Sequence, residues 1–215
     1  LKCFRPLPLC YCKNLSPLRT NTKIIILMHH KERKKRIATG RMAHLSLKNS
    51  ELWVGRDFSE RFRSLPQQCS SFLLYPSPKS LSIDRVPAPV DSKVRLLFVI
   101  DATWHQAYGM MMENDFLQTI PHVSLPHLAK SEFAVKLQPR DNCLSTIEAI
   151  AQCLTHLPDE GIGSSTIHGF LRPFRTMVCE QLNFEKQHLG EELFSVRKGG
   201  RYMLSSEKMA MGMSR

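Results

Sequence analysis

Read for apolar and polar positions, the chain divides into short apolar runs and longer amphipathic stretches. Lys23–Met28 (KIIILM) is apolar after its first residue, and Val94–Ile100 (VRLLFVI) is apolar except for Arg95. Short, nearly continuous runs rich in Val and Ile suit strands buried on both faces, as in a parallel sheet. Phe72–Tyr75 predicts a further strand, halted by Pro76 and Pro78. Glu51–Gly55, Val123–Leu125 and Phe133–Leu137 are shorter strand candidates. Thr39–Leu47 has a helical pattern that turns Met42, Leu45 and Leu47 to the core, and Trp104–Asn114 predicts a second helix. Ser145–Leu157 is the strongest helix. Ile147, Ile150, Ala151 and Leu154 make an i, i+3, i+4, i+7 stripe, and Ser145 precedes Glu148 at capping-box spacing. Pro158 and Gly161 end it, and Leu171–Gln187 predicts a last helix with Pro173 in its first turn.

Strands alternating with helices predict an α/β fold around a mostly parallel sheet with flanking helices. Residues 1–20 are rich in Cys, Pro and Leu without helical period and predict a small irregular module. Residues 21–190 are expected to form the main α/β domain. Ser77–Lys93 reads as a connecting loop, and residues 191–215 as a polar, disordered tail.

Charge adds a partner class. Thirty Lys and Arg against nineteen Asp and Glu give a formal charge of +11. That excess favours a polyanion such as nucleic acid. No apolar run is long enough to span a bilayer, and Ile24–Met28 is too short and wrongly flanked for a signal-peptide core. Seven cysteines without regular spacing point to a reducing compartment, the cytoplasm or nucleus. The start at Leu1 reads as a processed or truncated end, which leaves organelle targeting open. Cys69, Cys143, Cys153 and Cys179 are scattered and read as small packing residues.

The candidate chemistry lies where the elements end. The Val94 run stops at Asp101-Ala102-Thr103-Trp104, and open α/β sheets bind ligands beyond the carboxyl ends of such strands. The run therefore delivers a carboxylate, a hydroxyl and a large π-face. The competing reading makes Asp101 a helix cap and buries Trp104 in the core. At Leu144-Ser145-Thr146-Ile147-Glu148, free N–H groups of a helix start could take a carboxylate, and Glu148 could hold an ammonium or a hydroxyl; the bland reading is a well-capped helix. Lys31, Arg33, Lys34, Lys35 and Arg36, followed by Arg41, form a basic segment after a strand, suited to phosphate contacts or to a solvated face. Arg172 and Arg175 share a helix face and suit RNA contacts or a salt bridge.

Five segments in series carry a resemblance: TGRMAH (39–44), LLYPS (73–77), DATW (101–104), CLSTIEA (143–149) and LRPFRTMV (171–178). In this order they resemble the DTW-domain family of tRNA-uridine aminocarboxypropyltransferases, related to the SPOUT class, from Cys3 to about Leu182. The resemblance implies a SPOUT-like sheet with a C-terminal knot, where the pattern alone favours an unknotted, Rossmann-like sheet. It also implies transfer of the aminocarboxypropyl group of S-adenosylmethionine to the imide nitrogen of a tRNA uridine, with methylthioadenosine leaving. Asp101 would take the imide proton, its basicity raised by an apolar setting, and Trp104 would stack on a base. Tyr75, Pro76, Ser77, Asp101, Leu144, Ser145, Thr146 and Glu148 would surround the donor. The family's four-cysteine pattern, C-x2-C-x6-C-x-C, survives as Cys3, Cys10 and Cys12 and implies zinc. No spacing supports His29 or His30 as a fourth ligand. Two departures stand out: Lys136 replaces the family's Arg, a candidate anion contact, and Ala102 replaces its Gly. An RNA methyltransferase, distinguished by S-adenosylhomocysteine as product, and a non-catalytic RNA-binding protein are the competing classes.

Overall fold

A computed structural model describes residues 2–66, 69–88, 94–126, 130–135, 143–157 and 160–189. The elements in chain order are β1 (Lys23–His29), α1 (Thr39–Leu45), β2 (Ser50–Gly55), α2 (Ser59–Arg63), β3 (Cys69–Leu74), β4 (Leu81–Ser82) and β5 (Val94–Asp101), followed by α3 (Trp104–Glu113), α4 (Asp115–Thr119), β6 (His122–Ser124), α5 (Thr146–His156) and α6 (Ser164–Leu189). The strands form one sheet in the order β2-β1-β5-β3-β6-β4, and every described pairing is parallel.

Strand periodicity divides the apolar runs between two cores. Ile24, Ile26, Leu97 and Val99 face one side, where they meet Met42 and Ala43 of α1, Ile147, Ile150 and Leu154 of α5, and Phe170 and Phe174 of α6. Ile25, Leu27, Leu96 and Phe98 face the other, against Trp53, Phe58 and Met110, Met111, Phe116 and Leu117 of α3 and α4. Burial on both faces explains why these strands read as continuous apolar runs. The chain leaves β1 toward β2 on one side and leaves β5 toward β6 on the other. The sheet therefore switches direction between β1 and β5, and a crevice is expected at their carboxyl ends. Asp101 stands there, paired in register with Met28. It shares strand parity with Leu97 and Val99, so it points toward α1 and α5.

Two expectations are corrected. Phe133–Leu137 is not a strand over its described part: Ala134 donates its N–H to the Glu132 carbonyl at 2.8 Å, which turns the backbone, while Phe133 is buried against Phe174. The last helix begins at Ser164, not Leu171, so Pro173 lies in its interior. The buried row Phe170, Leu171, Phe174, Met177 and Val178 keeps the helix continuous across the missing N–H of Pro173. Helices α2 and α4 are too short for a 3.6-residue period to register. The Cys-rich segment packs on the first core through Cys3 and Tyr11, and Leu18 bridges to Leu47. Lys136 and the tail 191–215 lie outside the described residues, and the described residues do not assess the expected C-terminal knot.

Candidate active site at the carboxyl end of the sheet

Three of the sequence segments meet at Asp101. The residue is 6% exposed, and Oδ1 accepts a hydrogen bond from the Thr146 hydroxyl at 2.6 Å. Gly40 of α1 packs against the same carboxylate: a Cβ at position 40 would lie 2.5 Å from Asp101 Cγ and 2.9 Å from its Cβ. TGRMAH, DATW and LSTIE thus converge on one side chain. Asp101 is not the helix cap. Thr103 is, accepting from Gln106 N–H at 3.4 Å while Gln106 Oε1 accepts from Thr103 N–H at 2.9 Å. Nor is Trp104 in the core; it is 56% exposed at the start of α3. A Thr-x-x-Gln spacing was legible in the sequence and would have excluded the cap reading.

The Leu74–Ser77 segment stands beside Trp104. The Tyr75 ring meets Trp104 edge-on at 6.4 Å and His122 edge-on at 5.8 Å. His122 Nε2 donates to the Leu117 carbonyl at 2.8 Å, which leaves Nδ1 to accept from the Ser77 hydroxyl at 3.3 Å. No sequence signal marked His122, which ties Ser77 to α4. Pro76 is exposed and Leu144 half-buried.

Glu148 has another task. Its carboxylate accepts from Ser145 N–H at 2.8 Å, Ser145 hydroxyl at 2.5 Å, Ser131 hydroxyl at 2.9 Å and Glu132 N–H at 2.6 Å. The capping box therefore also clamps the loop at 131–132. Arg175 completes that clamp, gripping Glu132 with Nε and Nη2 at 2.7 and 2.8 Å. The bidentate guanidinium holds the Glu132 carboxyl below its ordinary value, and burial opposes this only in part. Arg175 thus takes the salt-bridge alternative, while Arg172 is exposed.

The basic segment follows β1 at the same edge of the sheet. Lys31, Arg33, Lys34, Lys35 and Arg36 are exposed, with Lys35 paired to Glu32 at 2.5 Å. Arg41 does not join them: it is 4% exposed, donates to the Arg33 carbonyl and lies over the Phe4 ring at 4.6 Å. A charge read as surface instead anchors the loop that carries the others. His29, at the end of β1, is held below the ordinary histidine range by burial and by the charges of His30, Arg56 and Lys31.

A third group lies apart. The Sγ atoms of Cys3, Cys10 and Cys12 are within 4.8 Å of one another, and Cys3 and Cys10 are 3.6 Å apart. Burial raises the Cys3 thiol, but hydrogen bonds from the Arg5 N–H and from the Cys12 and Cys10 thiols outweigh it and hold Cys3 below the ordinary range. Burial and donation to its neighbours push Cys12 up to about 11. The trio can hold a metal ion, and among the described residues no histidine joins it.

The chain is similar to known proteins of one family. The DTW domain matches residues 1–182. A Drosophila melanogaster relative, tRNA-uridine aminocarboxypropyltransferase 2, is 30% identical over 204 residues, covering 89% of this chain and 78% of its own length. The protein of the same name from Macaca fascicularis is 26% identical over 202 residues, covering 87% and 67%. An Arabidopsis thaliana relative, tRNA-uridine aminocarboxypropyltransferase A, is 27% identical over 218 residues, covering 87% and 80%. No solved structure matches.

Proposed function

The chain belongs to the DTW-domain family, and from that premise we propose that it is a tRNA-uridine aminocarboxypropyltransferase. The donor substrate is S-adenosylmethionine, which supplies a 3-amino-3-carboxypropyl group made electrophilic by the sulfonium. The uracil N3–H loses its proton to Asp101, and the N3 lone pair forms the new N–C bond. The C–S pair stays on sulfur as methylthioadenosine leaves, so charge and atoms balance. The observation that carries this reading is the convergence of Gly40, Asp101 and Thr146 at the switch point of the sheet. Thr146 fixes the direction of the carboxylate, and Trp104 offers an exposed π-face three residues away. Tyr75 and Ser77, held by His122, form the wall beside Trp104. In this reading Leu144, Ser145 and Thr146, at the start of α5, line the donor from the side that holds Asp101. Glu148 positions Ser131 and Glu132 there and does not grip a ligand itself.

Residues 21–190 are the catalytic unit in this reading, with Lys31, Arg33, Lys34 and Arg36 meeting tRNA phosphates. The cysteine trio fits structural zinc. A Zn–S bond of about 2.3 Å sets the S···S edge of a tetrahedron near 3.8 Å, close to the 3.6 Å between Cys3 and Cys10. These residues supply three of four ligands and would tie the Cys-rich segment to the first core.

The test is transfer to tRNA in vitro, read by nucleoside mass spectrometry with methylthioadenosine as coproduct. Asp101→Asn keeps the shape and removes the base. Its expected rate loss is about a hundredfold or more, with donor affinity within roughly tenfold of the parent. Near-normal turnover in this variant, or S-adenosylhomocysteine as the product, would refute the assignment.

A further inference from the structure

Helix α3 presents a row of large side chains to solvent. Trp104, Tyr108 and Met112 are 56%, 59% and 49% exposed, one turn apart, while Ala107, Met110 and Met111 on the opposite side are buried. The row starts three residues after Asp101, where α3 leaves the carboxyl edge of the sheet. The exposed basic residues Lys31, Arg33, Lys34 and Arg36 follow β1, and α3 follows β5; because those strands are parallel neighbours, both features open from the same edge of the sheet. Aromatic faces beside a positive edge are the combination that holds single-stranded nucleic acid, the rings by stacking and the cations by phosphate contact. Residues four apart on a helix are separated by about 6 Å along its axis. One base needs nearly that spacing between two flanking rings.

We propose that Trp104 and Tyr108 form a base clamp for the nucleotide adjoining the target uridine, so the enzyme takes an unstacked, single-stranded segment of its RNA. The proposal rests on the tRNA reading above and adds which RNA conformation is bound and by which side chains.

The full chain is titrated with a labelled single-stranded oligoribonucleotide containing one uridine. It is also titrated with versions carrying one abasic nucleotide on either side of that uridine. Tyr108→Ala is expected to weaken binding of the intact oligonucleotide roughly 5- to 100-fold. Tyr108→Phe should retain it, and the abasic oligonucleotide should bind parent and Tyr108→Ala alike. Of the two tryptophans Trp53 is buried, so quenching of Trp104 emission on binding gives a second reading. Equal weakening of intact and abasic oligonucleotides by Tyr108→Ala, or no weakening, overturns the clamp. So does a concentration-dependent dimer in sedimentation that Tyr108→Ala dissolves, since the row would then be a self-contact. Stacking with no aminocarboxypropyl transfer would sink the chemistry and leave the clamp standing. Full transfer by Tyr108→Ala at subsaturating tRNA would do the reverse.

Discussion

Replacing Gly40 with Ala asks whether α1 is placed to hold Asp101. Two effects oppose each other. In an open helix, Gly→Ala stabilises by up to about 1 kcal/mol through the backbone entropy of the unfolded chain. Here the added methyl would sit 2.5 Å from Asp101 Cγ and 2.9 Å from its Cβ, well inside van der Waals contact. One partner must move by roughly 1 Å, and neither is loose. Asp101 is the last residue of β5, hydrogen-bonded through Oδ1 to Thr146, and Met42 and Ala43 lock α1 into the first core. Overpacking of this kind costs about 1–3 kcal/mol, which outweighs the propensity gain. The expected result is a fall in Tm of roughly 2–8 °C, together with a loss of about a hundredfold in transfer rate from displacement of the carboxylate. Thermal unfolding by circular dichroism and the transfer assay read the two effects separately. A variant more stable than the parent and fully active would show that α1 does not press on Asp101, and the convergence argument would fall with it.

Other perturbations probe the remaining parts. Replacing Lys31, Arg33, Lys34 and Arg36 with Ala should weaken tRNA binding and lower its salt slope by roughly one per lost contact, whereas Lys35→Ala, with its charge paired to Glu32, should lower it less; an unchanged slope in filter binding returns the segment to a solvated face. Because the folded Glu132 carboxyl lies below its unfolded value of 4.5, its contribution is present above that pH and lost as pH falls through the depressed value. Acid unfolding of Arg175→Ala should show a weaker dependence in that window, and an unaltered acid limb would refute the pairing in solution. Stripping metal with a chelator should lower Tm in the parent and not in Cys12→Ser; metal analysis finding no bound zinc would refute the site.

What was legible in the sequence followed from burial. The runs at Lys23 and Val94 are apolar on both faces because both faces are covered, and that gave the parallel sheet and the placing of Asp101 at its carboxyl edge. The same double burial hid which face Asp101 takes, since a run without alternation carries no parity signal. That face depends on α1 and α5, which meet Asp101 from 61 and 45 residues away through Gly40 and Thr146. The start of α6 was missed because Ser164–Gly169 shows no apolar row until Phe170. Arg41 was read as surface because an arginine ordinarily is, and nothing local signals that the Arg33 carbonyl and Phe4 enclose it.

Asp101 and Glu148 are both buried carboxylates near the carboxyl edge, and their surroundings differ. Glu148 accepts four hydrogen bonds, two from backbone N–H groups. Those bonds engage both oxygens and tie the loop at 131–132 to the start of α5. Asp101 is held differently. It is anchored by its strand, oriented by a Thr hydroxyl and set at the point where the sheet changes direction, with the exposed Trp104 three residues on. In the proposed reading position divides the labour: the carboxylate inside the helix cap builds the wall, and the one at the strand end meets the substrate.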